Sequence, residues 1–260
     1  MADTQLPFST EQRRETILRH LSSHGRGGVN ELSRLVGVTE VTIRKDLEYL
    51  ETQGLVTRVH GGALISGRGR LERRFAAREK ENLEHKRRIA QAAAAHIQSG
   101  QRIFLDASTT ALQVARLIQD RDDLVVVTNG LYTALELSFS EGITTIVIGG
   151  TLRRRSNSLV GNLNDDLTQR LRMDVGFYGA RGVTASDGLM EADLDEAQLK
   201  QRMVKASTTV IGIADASKFG AKFFSVFALP GEIDRIITDG RIPAAMTSAL
   251  QAQGIQVDIV

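Results

Sequence analysis

The chain has 260 residues, 42% apolar and 25% charged, the balance of an ordinary soluble protein with room for two modest domains. It holds no cysteine, which excludes disulfides, thiolate metal sites and cysteine nucleophiles. No apolar run reaches the roughly 18 residues of a membrane span, and residues 1–10 lack the basic start and apolar core of a signal peptide, so the cytoplasm is the expected compartment.

A formal net charge of +2 hides a split. Residues 1–88 carry 17 Lys and Arg against 12 Asp and Glu, whereas residues 89–260 carry 16 against 19. A basic front on a mildly acidic body suggests a polyanion-binding module joined to something else, although such an imbalance also arises by chance.

In chain order, Ser9 and Gln12 have the spacing of a capping box, which predicts a helix with Ile17, Leu18 and Leu21 on its apolar face. Gly25, Gly27 and Gly28 are expected to end it. Residues 29–36 predict a second helix of about two turns, broken by Gly37. Thr39 is a suitable N-cap for a third helix, in which Ile43, Leu47 and Leu50 recur at core spacing. Gly54 stops that helix, and segments 55–58 and 63–66 flank Gly61-Gly62 as a β-hairpin would. Residues 1–66 thus read as a winged helix-turn-helix domain, and 67–88 as a basic linker that becomes helical.

From residue 89 onward the pattern predicts an α/β domain. Apolar strands are expected at 103–105, 124–127, 144–148, 175–178, 210–214, 233–238 and 256–260. Helices are expected near 109–119, 131–139, 193–206 and 243–253. Such alternation implies a mostly parallel sheet with helices on both faces.

Two helices joined at Gly37-Val38 form the helix-turn-helix pattern, whose second helix enters the major groove of duplex DNA. At 100° per residue, the face opposite Ile43, Leu47 and Leu50 carries Val41, Lys45, Glu48 and Thr52, flanked by Thr42 and Arg44. Thr39, Val41, Thr42, Arg44 and Lys45 are the candidate DNA-contacting residues of this element, able to meet bases, thymine methyls or phosphates. Arg58 and His60 on the wing join them. Asp46 reads as structural, either paired with a neighbouring arginine or capping a helix. A helical subdomain with no nucleic acid has the same spacing.

In the second half, a polar cluster follows each of five predicted strands. These are Asp106 to Thr110, Thr128-Asn129-Gly130, Gly149-Gly150 with Arg153 beyond, Gly179 to Gly182, and Asp215 to Phe219. Ligands of open α/β sheets bind outside the carboxyl ends of the strands. Ser108, Thr109 and Thr110, opening a helix, form a candidate phosphate cradle, with Lys218 as counter-charge. Each cluster alone is compatible with an ordinary cap or turn; five at equivalent places form the signal.

The run from Val41 to Glu51, then Gly54, then Arg58 to Ala63, resembles the DeoR-type winged-helix signature. The D-x-x-T-T loop at 106–110, the T-N-G turn at 128–130 and the G-G-x-L-R segment at 149–153 resemble the sensor domain of DeoR-type regulators. So do Gly161, the F-x-G-A strand end at 177–180, Glu196-Ala197 and the D-x-S-K-F segment at 215–219. This second likeness covers about residues 75–260. It implies a fold like that of ribose-5-phosphate isomerase and binding of a phosphorylated sugar or related metabolite.

The implied effector-binding residues are Asp106, Ser108, Thr109, Thr110, Thr128, Asn129, Gly149, Gly150, Arg153, Arg181, Glu191, Glu196 and Lys218. The sequence departs from the family pattern in several places: Arg181 stands where an Asp is usual, Glu191 where a Thr is common, Asp193 where an Asn is common, and the first loop, usually D-S-G-T-T, reads Asp106-Ala107-Ser108-Thr109-Thr110 and keeps its phosphate-binding character. Arg181 is expected to pair with Glu191 or Asp193 and shift effector choice, unless the exchanges are neutral drift at the rim.

The function implied is a transcriptional regulator, a repressor of carbohydrate metabolism released by its effector. It would bind operator DNA as a homo-oligomer joined through the second domain, with no catalytic residue, cofactor, metal or membrane. A sugar-phosphate isomerase is the alternative, with Asp106, Glu191, Glu196, Asp215 and Lys218 as its inventory; a scaffold with vestigial pockets is a third reading. The surplus positive charge lies in the linker, because residues 1–66 carry 8 Lys and Arg against 8 Asp and Glu.

Overall fold

The computed structural model describes residues 9–66, 75, 77–161 and 170–260. It divides into two compact units, residues 1–78 and 79–260. Arg68, Arg70, Arg73 and Arg74 of the basic linker lie outside the described residues.

In the first unit, α1 (Thr10–His24) starts where the capping box places it. The Ser9 hydroxyl accepts from the Gln12 amide at 3.2 Å, and the Gln12 side chain accepts from the Ser9 amide at 3.0 Å. Two of the helix's unpaired amides are thereby satisfied. Helix α2 (Val29–Val36) ends at Gly37, whose φ of 67° is a left-handed stop. Helix α3 (Glu40–Thr52) is capped by Thr39. Ile17, Leu21, Leu32, Val36, Ile43, Leu47 and Leu50 close one core with Val56 and Ile65 of the wing.

The wing differs from the expected hairpin. Strands β2 (Val56–Val59) and β3 (Gly62–Ile65) pair as anticipated, but Arg26–Gly28 forms β1 on the far side of β3. Gly27 and Gly28 therefore do more than end α1. A Cβ on Gly62 would lie 2.3 Å from the Gly27 carbonyl oxygen, so the approach of β1 to β3 needs a glycine there.

The second unit holds one parallel sheet of seven strands: β4 (Arg102–Leu105), β5 (Leu124–Thr128), β6 (Ile143–Val147), β9 (Met173–Tyr178), β12 (Ser207–Ile213), β14 (Arg235–Thr238) and β15 (Gln256–Ile259), in the order β15-β14-β12-β9-β4-β5-β6. These are the seven strands read from the sequence. Side chains alternate across the sheet. Ile103, Leu105, Val175, Phe177, Ile211 and Ile213 face a layer that includes α4 (Leu83–Ala94), α5 (Thr109–Leu117) and α6 (Leu131–Leu137). Phe104, Tyr178, Val210 and Ile236 face the layer containing α7 (Leu194–Ala206) and α8 (Ala244–Ala252). Burial on both faces explains why these strands read as continuous apolar runs.

Two small antiparallel elements were not anticipated. Strands β7 (Thr151–Arg153) and β8 (Ser158–Val160) form a hairpin, and β10 (Gly182–Thr184), β11 (Gly188–Glu191) and β13 (Ser225–Ala228) form a second sheet. Arg153 and Gly182, read as parts of strand-end loops, thus belong to short strands.

From β4 the chain moves to β5 and β6 on one side, then returns to β9 on the other. The connections after β4 and β9 diverge there, so the topological switch point, where open sheets bind ligands, lies between these strands.

Candidate functional sites

Helix α3 separates its residues as the sequence predicts. Ile43, Leu47 and Leu50 are buried, while Val41, Arg44, Lys45, Glu48 and Thr52 are exposed. Val41 is 60% exposed. Arg44 holds Glu40 one turn back at 2.7 Å. The Thr39 and Thr42 hydroxyls lie 3.0 Å apart at the start of the helix. Arg58 and His60 are exposed on the wing. All seven candidate DNA-contacting residues thus occupy one helix, its cap and the adjacent wing.

Asp46 faces the other way and is only 1% exposed. It accepts from Arg13 Nε at 2.6 Å and from Arg14 Nε at 2.8 Å, both on α1. Arg14 also lies over the Tyr49 ring, 3.7 Å from its centroid. Of the two structural roles considered for Asp46, pairing with arginine is the one observed. The pairing ties α3 to α1 through charge-assisted bonds.

At the switch point of the second unit, the chain after β4 folds back through Asp106. This side chain is fully buried and accepts from the Ser108 amide at 3.0 Å and the Gly179 amide at 2.9 Å. Ser108 then caps α5, its hydroxyl accepting from the Ala111 amide at 3.1 Å. Thr109 and Thr110 occupy the first turn, where amides lack partners within the helix. The loops after β4 and β9 touch closely. A Cβ on Gly179 would meet Ser108 Cβ at 2.4 Å. Gly179→Ala is therefore expected to cost about 1–3 kcal/mol of stability by overpacking and to weaken any anion held by the Ser108 turn. Urea denaturation checks this; unchanged stability would mean that the loops are not packed this closely.

A cation missed from the sequence organises this end of the sheet. Lys200 of α7 is fully buried, and its Nζ lies 2.8 Å from Asp106, 2.7 Å from Glu191 and 2.8 Å from the Gly179 carbonyl oxygen. Burial works against its charge, but Asp106, Glu191 and then Glu196 outweigh burial and hold the ammonium above the usual lysine range. Its signal in the sequence was helical spacing: Glu196, Lys200, Met203 and Val204 share the buried face of α7. A lysine in such a stripe needs buried acceptors.

Arg181 follows the Gly179 turn, and its Nε lies 3.9 Å from Glu191 Oε2. Of the two partners anticipated for it, Glu191 is the nearer fit. Asp193 instead holds Arg153 at 2.9 Å and caps α7 through the Glu196 amide.

A second cluster surrounds Glu196, whose carboxylate is buried. It accepts from Asn129 Nδ2 at 3.1 Å, Ser158 Oγ at 2.6 Å and Arg153 Nη1 at 3.2 Å. Thr128 Oγ1 accepts from the Gly130 amide and shapes the turn that presents Asn129. Gly149, at φ 116°, is packed against Leu159, while Gly150 is exposed at the entry to β7. Ser158 is the further residue that sequence reasoning missed. A Cβ on Gly130 would lie 2.9 Å from Ala107 Cα, so this cluster adjoins the β4 loop.

Lys218 belongs to neither cluster. It lies 3.9 Å from Asp215, which also accepts from Asn82 Nδ2 at 2.9 Å and from Ser217.

Among the described residues, no helix is long and apolar enough to cross a membrane. Residues 13–68 match the DeoR-like helix-turn-helix domain, and residues 81–240 match the DeoR C terminal sensor domain. The chain is 36% identical to the HTH-type transcriptional regulator GlpR of Haloferax volcanii over 247 residues, covering 95% of this chain and 96% of that protein. It is 30% identical to the glycerol-3-phosphate regulon repressor of Escherichia coli K12 over 248 residues, covering 95% of this chain and 98% of that one. Among solved structures, ribose 5-phosphate isomerase A of Methanocaldococcus jannaschii matches 53% of this chain and 55% of that one, at 16% identity and a TM-score of 0.40.

Proposed function

Because this chain belongs to the DeoR family of DNA-binding transcriptional regulators, we propose that it represses a carbohydrate-metabolism operon in the cytoplasm and is released by a phosphorylated sugar or related metabolite. The protein is a regulator and not an enzyme, so the sugar-phosphate isomerase reading falls. In the proposed function α3 enters the major groove, with Thr39, Val41, Thr42, Arg44 and Lys45 against bases and phosphates and Arg58 and His60 beside the backbone. The effector's phosphate meets the Thr109 and Thr110 amides, and its hydroxyls meet the Asn129, Arg153 and Glu196 cluster.

The observation that carries this reading is the opposed burial on α3. One face is buried and locked to α1, and the other leaves Val41 and Lys45 exposed beside the wing. The exposed face of the second helix of a helix-turn-helix pair is the one that meets the major groove. The proposed domain organisation is a DNA-binding part at 1–66, a basic linker at 67–88 whose last residues, from Leu83, already form α4 of the second unit, and an effector-binding, oligomerising part at 89–260. Helix-turn-helix proteins commonly bind as dimers on half-sites about one helical turn apart. A dimer or larger homo-oligomer is therefore expected by light scattering.

Selection from random duplexes, followed by mobility shift with sugar phosphates, tests the function. At 100 times its dissociation constant the effector should stabilise the chain by about 2.7 kcal/mol. It should also weaken DNA binding, and DNA must weaken effector binding by the same factor. Failure to select any duplex would refute DNA recognition; a sugar phosphate that stabilises the chain without releasing DNA would refute the effector's role.

A further inference from the structure

Resting on that sensor reading, we propose that the effector carries two anionic ends, a phosphate at the start of α5 and a carboxylate at Arg181. It is then a phosphorylated sugar acid rather than a phosphorylated aldose or ketose.

The basis is the use of donors among the cations of the two clusters at the switch point, to neither of which Lys218 belongs. An ammonium has three N–H donors, and Lys200 has three close acceptors, Asp106, Glu191 and the Gly179 carbonyl. It has no donor left for a ligand. Arg153 is spread over Ser156, Glu196 and Asp193. Arg181 differs from both. Its side chain is 39% exposed, and its acidic partner among the described residues, Glu191 Oε2, lies 3.9 Å from Nε, beyond hydrogen-bond length. Glu191 is already engaged by Lys200 through its other oxygen. Five guanidinium N–H groups in a planar fork are thus held loosely at the end of β9, a geometry that matches a carboxylate bidentately.

Arg181 also stands in the right place. It lies two residues beyond Gly179, whose backbone packs against Ser108 at the head of α5. Its own amide donates to the Met190 carbonyl at 2.9 Å, which fixes the backbone from which the side chain extends. In the neighbouring cluster, Asn129 Oδ1 is buried without a donor among the described residues, while its Nδ2 serves Leu159 and Glu196. A sugar hydroxyl would satisfy that acceptor. A ligand with a phosphate, hydroxyls and a carboxylate fits the unspent donors and the unspent acceptor together.

Titration calorimetry on the full chain with matched pairs tests this: 3-phosphoglycerate against glycerol 3-phosphate, 5-phosphoribonate against ribose 5-phosphate, and 6-phosphogluconate against glucose 6-phosphate. In the pair of the right length the acid should bind at least tenfold more tightly. Arg181→Met should reduce that preference to within twofold and leave the neutral partner's affinity unchanged. If the neutral partner binds as well as the acid, the carboxylate is wrong and the sensor reading stands. If Arg181→Met weakens both members equally, Arg181 holds the phosphate, and the proposal is overturned. If no member of any pair binds, the sensor reading falls and the proposal with it.

Discussion

Replacing Lys200 by methionine is expected to remove about 3–5 kcal/mol of stability, seen as an earlier urea transition of residues 79–260. Lys200, Asp106 and Glu191 are all buried, and the lysine contacts both carboxylates within 2.8 Å. Methionine fills a similar volume, so the loss is not a cavity effect. It is the cost of leaving two carboxylates buried without their cation. Asp106 keeps its two amide donors, whereas Glu191 keeps only the Ala192 amide at 3.2 Å and the distant Arg181. Lys200→Met with Glu191→Gln should therefore recover part of the loss. The pH dependence has a definite sign. The folded lysine is held above its unfolded value. Its contribution is fully present below about pH 10.4, the unfolded lysine value, and is lost only as pH rises through the higher folded value. A loss of less than about 1 kcal/mol at neutral pH would mean that the three groups do not share buried charge.

The same residue shows where sequence reading stops. Period and punctuation located all seven strands of the parallel sheet: the central ones are buried on both faces along most of their length and read as apolar runs, and the edge strands β6 and β15, though partly exposed and partly polar, are short segments bounded by turns. Ser9, Gly37 and Thr39 located helix ends because a cap is a local event, complete within four residues. Lys200 is not local. Its carboxylate partners lie 94 residues upstream and 9 residues upstream, and only the meeting of the turns after β4 and β9 with β11 and α7 makes it a structural cation. Within the E-A-Q-L-K segment it resembles any solvent-facing lysine until the apolar stripe is followed around the helix. Arg181 was legible as a departure and as a partner of Glu191; the looseness of that contact was not, since it depends on Lys200 having already claimed the carboxylate.

The short antiparallel strands were missed for a different reason. β7, β8 and β10 have three residues each, too few for alternation to register. They are held by what they pack on rather than by their own pattern. Gly182 read only as the end of a polar strand-end cluster and Gly188 carried no signal, yet a Cβ on Gly182 would meet the Ala221 carbonyl oxygen at 2.2 Å, and one on Gly188 the Ala228 carbonyl oxygen at 2.1 Å. Close backbone approach is a second reason for a glycine, and sequence alone does not separate it from a turn. β1 is the same case in the first unit.

Two adjacent residues of α3 should give opposite results. Lys45→Ala is expected to weaken binding to a selected operator by roughly 1–3 kcal/mol if Lys45 reads a base, with stability nearly unchanged because the side chain is exposed. If Lys45 meets only phosphate, the loss should be similar on every duplex, and the salt slope should fall by about one. Arg44→Ala should also weaken binding, after a small offset: in free protein Arg44 holds Glu40, an exposed pair one turn apart worth about 0.3–0.5 kcal/mol. Asp46→Ala should instead destabilise the first unit by about 1–3 kcal/mol, because the carboxylate is buried and receives both Arg13 and Arg14. Its effect on DNA should follow from that loss and shrink at lower temperature or with added osmolyte, which restores the fold. The Lys45 effect should not shrink, since no folding equilibrium stands behind it. A Lys45 variant that melts early, or an Asp46 variant that folds normally and loses only DNA binding, would reverse the assignment of the two faces of α3.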